Sequence, residues 1–207
     1  MRRHRWSGRA LTALALAAAA AGCGGDGDRQ VSQDGKGGYP WVATEEICNA
    51  LPYGELADPL GARREVADRT GRSGGGAPGF ACVQPLVETG PAVYGNAKVE
   101  LDFAFTESVD FARDIHARDR ENTAKEVKDS GLVPVQGVGK EAFRFGYDKP
   151  AELHQVRELH VRDSNLLLDV TVTADARTPP TPESLKALDA AVDAFAKGCL
   201  KSLRTRG

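Results

Sequence analysis

The chain predicts an α+β fold: an antiparallel sheet with helices packed on one face, in the order α-βββ-α-βββ-α. Three observations lead there. Val99, Leu101, Phe103 and Phe105 alternate with Lys98, Glu100, Asp102 and Thr106, the period-2 pattern of a strand with one dry and one wet side. Leu166, Leu168, Val170 and Val172 repeat it against Asp169, Thr171 and Thr173. Leu185, Leu188, Val192, Phe195 and Cys199 then step by three, four, three and four, a narrow apolar stripe along a helix. One apolar side per strand implies an antiparallel sheet covered on that side.

Taken in order, Thr44 is placed to cap a short helix reaching about Leu51, with Glu45 and Glu46 near its positive end. A second helical turn over Tyr53–Leu60 stops at Gly61. Arg63–Arg69 reads as a short strand, and Thr70–Gly79, with five glycines and Pro78, as a loop. Phe80–Val87 is a strand, with Gly90-Pro91 and Gly95 marking the turn before the strand Ala97–Thr106. Ser108 caps a helix to about Lys128, whose apolar positions Phe111, Ala112, Ile115 and Val127 are expected to be buried. Gly131–Gly139 is a loop broken by Pro134. Strands follow at Glu141–Tyr147, Leu153–Arg162 and Leu166–Thr173, the last two joined by a tight turn at Asp163-Ser164-Asn165. A helix running to about Leu203 closes the chain, with Lys201, Arg204 and Arg206 at its negative end.

The N-terminus carries an address. Met1–Arg9 is cationic and Ala10–Ala21 is an apolar run of twelve residues. Twelve helical residues reach about 18 Å, short of the ~30 Å bilayer core, so the run suits a signal peptide and not a membrane span. Ala20-Ala21-Gly22-Cys23 resembles a bacterial lipobox, in which cleavage before an acylated cysteine leaves fatty chains such as palmitate on Cys23. Residues 1–22 are thus expected to be a lipoprotein signal peptide. Residues 23–40 then form a flexible tether with six glycines, and 41–207 a single extracytoplasmic domain anchored to the outer face of the cytoplasmic membrane.

At 207 residues, 41% hydrophobic and 27% charged, the composition is that of an ordinary globular domain. Residues 1–22 hold four arginines and no acid, so removing them lowers the net charge from −2 to −6. A nucleic-acid partner is therefore not expected, nor adhesion to anionic lipid through side chains.

Cys48 in a short helix followed by Leu51, Leu56 and Leu60-Gly61, then Cys82 on a strand, then Gly137-Val138-Gly139-Lys140-Glu141-Ala142 leading into an aromatic strand, resemble a family of actinobacterial surface lipoproteins. The domain of that family has no assigned function. The resemblance spans about Trp41–Leu203, and Val83-Gln84-Pro85 stands where the pattern has an aromatic residue. The layout is also similar to extracellular sensor domains of mycobacterial receptor kinases. The resemblance implies a cell-envelope location and brings no catalytic residues with it.

With Cys23 lipidated, Cys48, Cys82 and Cys199 remain, and export permits a disulfide. Cys48–Cys82 is the favoured pair; a bond from either to Cys199, and no bond, are the alternatives. Cys199 continues the apolar stripe and reads as a small buried hydrophobe.

Other motifs carry little chemistry. Gly71-Arg72-Ser73-Gly74-Gly75 has the nucleophile-elbow pattern without the strand and helix that the elbow needs. Gly137-Val138-Gly139 echoes a dinucleotide loop but leads into a strand, where a phosphate site needs a helix N-terminus. Asp26 and Asp28 lack the further ligands of a calcium loop. His154 and His160 share a strand face about 20 Å apart, too far to hold one ion. His116 reads as a solvated helix residue. No metal and no cofactor are expected. Glu100 and Asp102 share a strand side and, with His154, Glu158 and His160, mark the polar sheet face as the candidate binding surface.

The expectation is a lipid-anchored, non-enzymatic domain that binds an envelope protein or cell-wall partner. The alternative is a sensor or carrier with a small-molecule cavity, and an envelope hydrolase comes third.

Overall fold

The computed structural model describes residues 38–39, 46–57, 60, 62–64, 79–88, 93–127, 131–149 and 153–204. The signal peptide, Cys23, most of the tether, Thr44, the Gly90-Pro91 turn and residues 70–78 lie outside them.

Two short helices, α1 (Glu46–Ala50) and α2 (Gly54–Ala57), precede β1 (Ala62–Arg64), β2 (Gly79–Glu88) and β3 (Tyr94–Phe105). After α3 (Val109–Glu126) come β4 (Val133–Pro134), β5 (Glu141–Lys149), β6 (His154–Asp163), β7 (Leu166–Ala176) and α4 (Pro182–Arg204). The strands form one seven-stranded sheet ordered β1-β2-β3-β7-β6-β5-β4, and every neighbouring pair is antiparallel. The fold is α+β, as the alternating strands predict. The differences are local: Gly95 lies inside β3, and the segment read as loop before β5 contributes the two-residue edge strand β4. An edge position tolerates Pro134, because its missing N–H faces no neighbour.

The apolar rows of the sheet pair in register, Val99 with Val172 and Leu101 with Val170, and all four are essentially buried. Each such side chain contributes about 1.5–3 kcal/mol. α4 lies on this face through Leu188, Val192, Phe195, Cys199 and Leu203. α1 and α2 pack on the same side: Cys48 and Cys82 form a disulfide with Cα atoms 5.6 Å apart, and the Tyr53 and Phe195 rings are 5.4 Å apart. Gly198 lets the two units close, since a Cβ there would sit 2.6 Å from Pro52 Cγ.

The helices do not all share that face. α3 crosses the opposite, polar side of the sheet, turning Ala112, His116 and Thr123 inward. Phe111, expected in the core, is exposed, while His116, expected in solvent, is 6% exposed. The cause is the sheet face beneath, which offers polar partners and little apolar surface, so the helix meets it with a largely polar stripe.

Candidate functional site

The site is built where α3 crosses β5, β6 and β7. Ser108 starts the helix in extended conformation, its Oγ accepting a hydrogen bond from Phe111 N at 3.1 Å. Fully buried Ala112 provides the close approach, and His116 and Asp119 follow on the inward stripe. Beneath them, the sheet register aligns Asp102, Asp169, His160 and Phe143 across β3, β7, β6 and β5. The neighbouring row carries Glu100, Thr171, Glu158 and Phe145.

His160 is the centre. Its ring stacks on Phe143 at 4.8 Å with 5° between planes, and on Phe145 at 5.6 Å. Nδ1 lies 2.8 Å from Asp119 Oδ2 and 2.9 Å from Asp169 Oδ1, while Nε2 lies 3.7 Å from Glu158 Oε2. Burial alone would lower the imidazole pKa, but Asp119, Asp169 and Glu158 together outweigh it and push it up to about 11. In return, contact with His160 holds the Asp119 carboxyl below its ordinary range against the opposing effect of burial.

His116 takes the opposite path. Burial lowers its pKa, against weaker help from the His160 carbonyl 3.4 Å away and from Glu141 Oε2 at 3.6 Å. Glu141 is also held by Arg162, whose Nε donates to it at 3.1 Å and keeps its carboxyl low. Two histidines on one face are thus shifted in opposite directions, because only one is ringed by carboxylates.

An open cleft of about 550 Å³ runs between α3 and the segment 134–143, lined by Arg113, His116, Arg120, Lys140, Glu141 and Phe143 among others. Gly137 and Gly139 have φ of +74° and +60°, and a Cβ on Gly139 would sit 2.7 Å from Val161 Cγ1. The Gly-x-Gly segment is therefore a tight entry to β5 that plugs Val138, 1% exposed, into the core. A second cleft of about 670 Å³ shares Lys140 and adds Arg162, Asp163 and Arg204. Gly38 borders it.

Tyr39, read from sequence as tether, is 1% exposed. Its N–H donates to Asn165 Oδ1 at 2.9 Å, its hydroxyl donates to Asp163, and Arg204 Nε donates to that hydroxyl at 3.0 Å. An aromatic residue at the end of a glycine run was the available signal.

Of the residues singled out from sequence, Glu158 and His160 come together. Asp102 lies one strand beyond Asp169 in the same row, and Glu100 pairs with Lys98 at 2.5 Å in solvent. His154 stands apart, 2.8 Å from Asp175, both exposed. Asp169, read from sequence as part of the polar sheet face, joins Glu158 and His160 from β7, and the missed members His116, Asp119 and Glu141 come from α3 and β5, so no local motif joins the set. Cys199 is fully buried and burial pushes its thiol up, which withdraws it as a nucleophile.

The disulfide fits an oxidising, extracytoplasmic location. Among the described residues no helix is long and apolar enough to cross a membrane. No family model matches the chain and no curated protein matches it. Among solved structures, the chain is similar to the extracellular domain of PknH from Mycobacterium tuberculosis, at 15% identity and a TM-score of 0.39, covering 77% of this chain and 100% of that one. That degree of overlap transfers neither a ligand nor residue roles.

Proposed function

We propose that the protein is a lipid-anchored extracytoplasmic binding domain, held by acylated Cys23, that takes an anionic cell-wall polymer in the cleft between α3 and residues 134–143. Charge segregation carries this reading. In a chain whose processed form is net acidic, Arg113, Arg120 and Lys140 line one cleft, and Glu141, the acid among them, is already engaged by Arg162. Among the described residues neither Arg120 nor Lys140 has an ion-pair partner, so both are available to phosphate or carboxylate groups. Net charge excludes a uniformly basic surface; it does not exclude a local one. The polar sheet face, expected from sequence to be the binding surface, is partly occupied by α3. A non-catalytic role accords with the burial of Cys199 and with the ion-paired state of His160.

Co-sedimentation of the detergent-solubilised full chain with isolated cell-wall material tests the site. Binding is expected to weaken as salt rises, and the triple change R113E/R120E/K140E is expected to reduce it at least about tenfold. Replacing Glu100 and Asp102 by alanine serves as the control that leaves it intact. Equal binding of the charge-reversed and parent chains would remove the cleft from consideration. The anchor is tested separately in cells: Cys23→Ala is expected to move the protein out of the detergent phase.

A further inference from the structure

We propose that Asp119, His160 and Asp169 form a divalent metal site, with His160 Nδ1 and one oxygen from each aspartate as ligands to a first-row transition ion. The three ligand atoms lie within 4.8 Å of one another. The nitrogen is 2.8 and 2.9 Å from the two oxygens. Cis ligands of an octahedral ion, each about 2.0–2.1 Å from it, stand about 2.9 Å apart.

A second observation concerns the direction of the ring nitrogen. Nδ1 is buried, yet its N–H axis is aligned with neither oxygen well enough for a hydrogen bond, despite the short distances. A proton on nitrogen is best used by aiming at one acceptor. Cis ligands around an ion lying on the nitrogen's own axis would instead sit about 45° off that axis, which accounts for short contacts that are not hydrogen-bonded.

The surroundings fit a ligand held for a purpose. Phe143 and Phe145 fix the plane of the imidazole. Glu158 stands on the Nε2 side, where metal-bound histidines commonly find a carboxylate. Asp119 and Asp169 are 41% and 49% exposed, which leaves a solvent side for water ligands. One imidazole and two carboxylates favour a transition ion of the zinc or manganese kind over calcium or magnesium. Because Asp119 comes from α3 and the other two ligands from the sheet, the ion would clasp helix to sheet and brace the wall of the neighbouring cleft.

The full chain, purified in detergent and stripped with EDTA, is titrated with Zn2+ by calorimetry at pH 8, with Co2+ as a spectroscopic probe of coordination. One ion per chain is expected, with a rise in Tm. D119N and H160Q are each expected to weaken binding at least about tenfold, whereas H154Q leaves it unchanged. Asp119 is half exposed on the helix, so D119N keeps the fold, and circular dichroism of each variant verifies this. Absence of stoichiometric Zn2+ binding by the folded parent chain would overturn the site. So would binding undiminished in D119N or in H160Q.

Discussion

At the scale of the residue, His160 and His116 illustrate how one side-chain type, 44 positions apart, is shifted in two directions by its surroundings. Both lose hydration, which favours neutral imidazole. His160 recovers the loss from Asp119, Asp169 and Glu158; His116 has Glu141 and a carbonyl, which are not enough. A pKa raised from 6.5 to about 11 in the folded chain means that folding takes up a proton over that interval. The resulting stabilisation is complete below about pH 6.5, while the carboxylates stay ionised, and is lost as pH climbs toward 11. Thermal unfolding in EDTA is the measurement. The Tm gap between the parent chain and H160Q is expected to be widest near pH 6–7 and to close toward pH 10–11. A gap that stays constant across that interval would show that the carboxylates do not hold the proton.

At the scale of the element, strands were legible in the sequence and the helix α3 only in part. Period-2 alternation identifies β3 and β7 because one face of each meets a dry core, and the polar residues mark the other face correctly. The same logic reads α3 only in part. A search for apolar positions selects Phe111, Ala112, Ile115 and Val127, of which Ala112 is buried, Ile115 and Val127 are half-buried and Phe111 is exposed, because a helix laid on a polar sheet face turns its histidine, aspartate and threonine inward. Of the site, only Glu158 and His160 were singled out from sequence, since its other members are scattered over α3, β5 and β7. A second polar feature lies under α4, on the dry face. Arg157 Nε donates to Asp189 Oδ1 at 2.9 Å, and Arg144 bridges Asp189 and Asp193. Gly146 makes room for it: opposite Arg157 in register, a Cβ there would lie 2.6 Å from Arg157 Nη1. D189A removes a carboxylate partner of Arg157, which is 5% exposed, and is expected to cost about 2–3 kcal/mol in chemical denaturation. G146A is expected to cost about 1–3 kcal/mol despite alanine's better strand propensity, because it displaces the same guanidinium. The two share one partner, so G146A should cost clearly less in the D189A background. Strict additivity would mean that Gly146 does not act through Arg157.

At the scale of the whole molecule, the two ends of the described chain meet at one hairpin. Tyr39 and Arg204 are 165 residues apart, and both contact Asp163 in the turn between β6 and β7. Asn165 in the same turn receives the Tyr39 N–H and lies against Thr106, just before α3 begins. Gly38 and Tyr39, the last turn of α4, the start of α3 and the second basic cleft are thus tied at one corner. The disulfide secures the other approach, joining α1 to β2 and contributing about 3–4 kcal/mol if its effect is mainly on the unfolded chain. None of the Tyr39 contacts is visible as a sequence pattern, since each spans more than a hundred residues. Two substitutions separate the aromatic body of Tyr39 from its hydroxyl. Y39A empties a fully buried ring site and is expected to cost about 3–5 kcal/mol. Y39F keeps the ring, and Asp163 keeps Arg204, so the expected cost is about 1–2 kcal/mol. Urea denaturation measures both, while detergent-phase partitioning of the same variants is expected to match the parent, because the lipid anchor proposed at Cys23 lies upstream of Tyr39 in the sequence. If Y39A is as stable as the parent, the domain does not begin at Tyr39, and the corner is held by the hairpin and α4 alone.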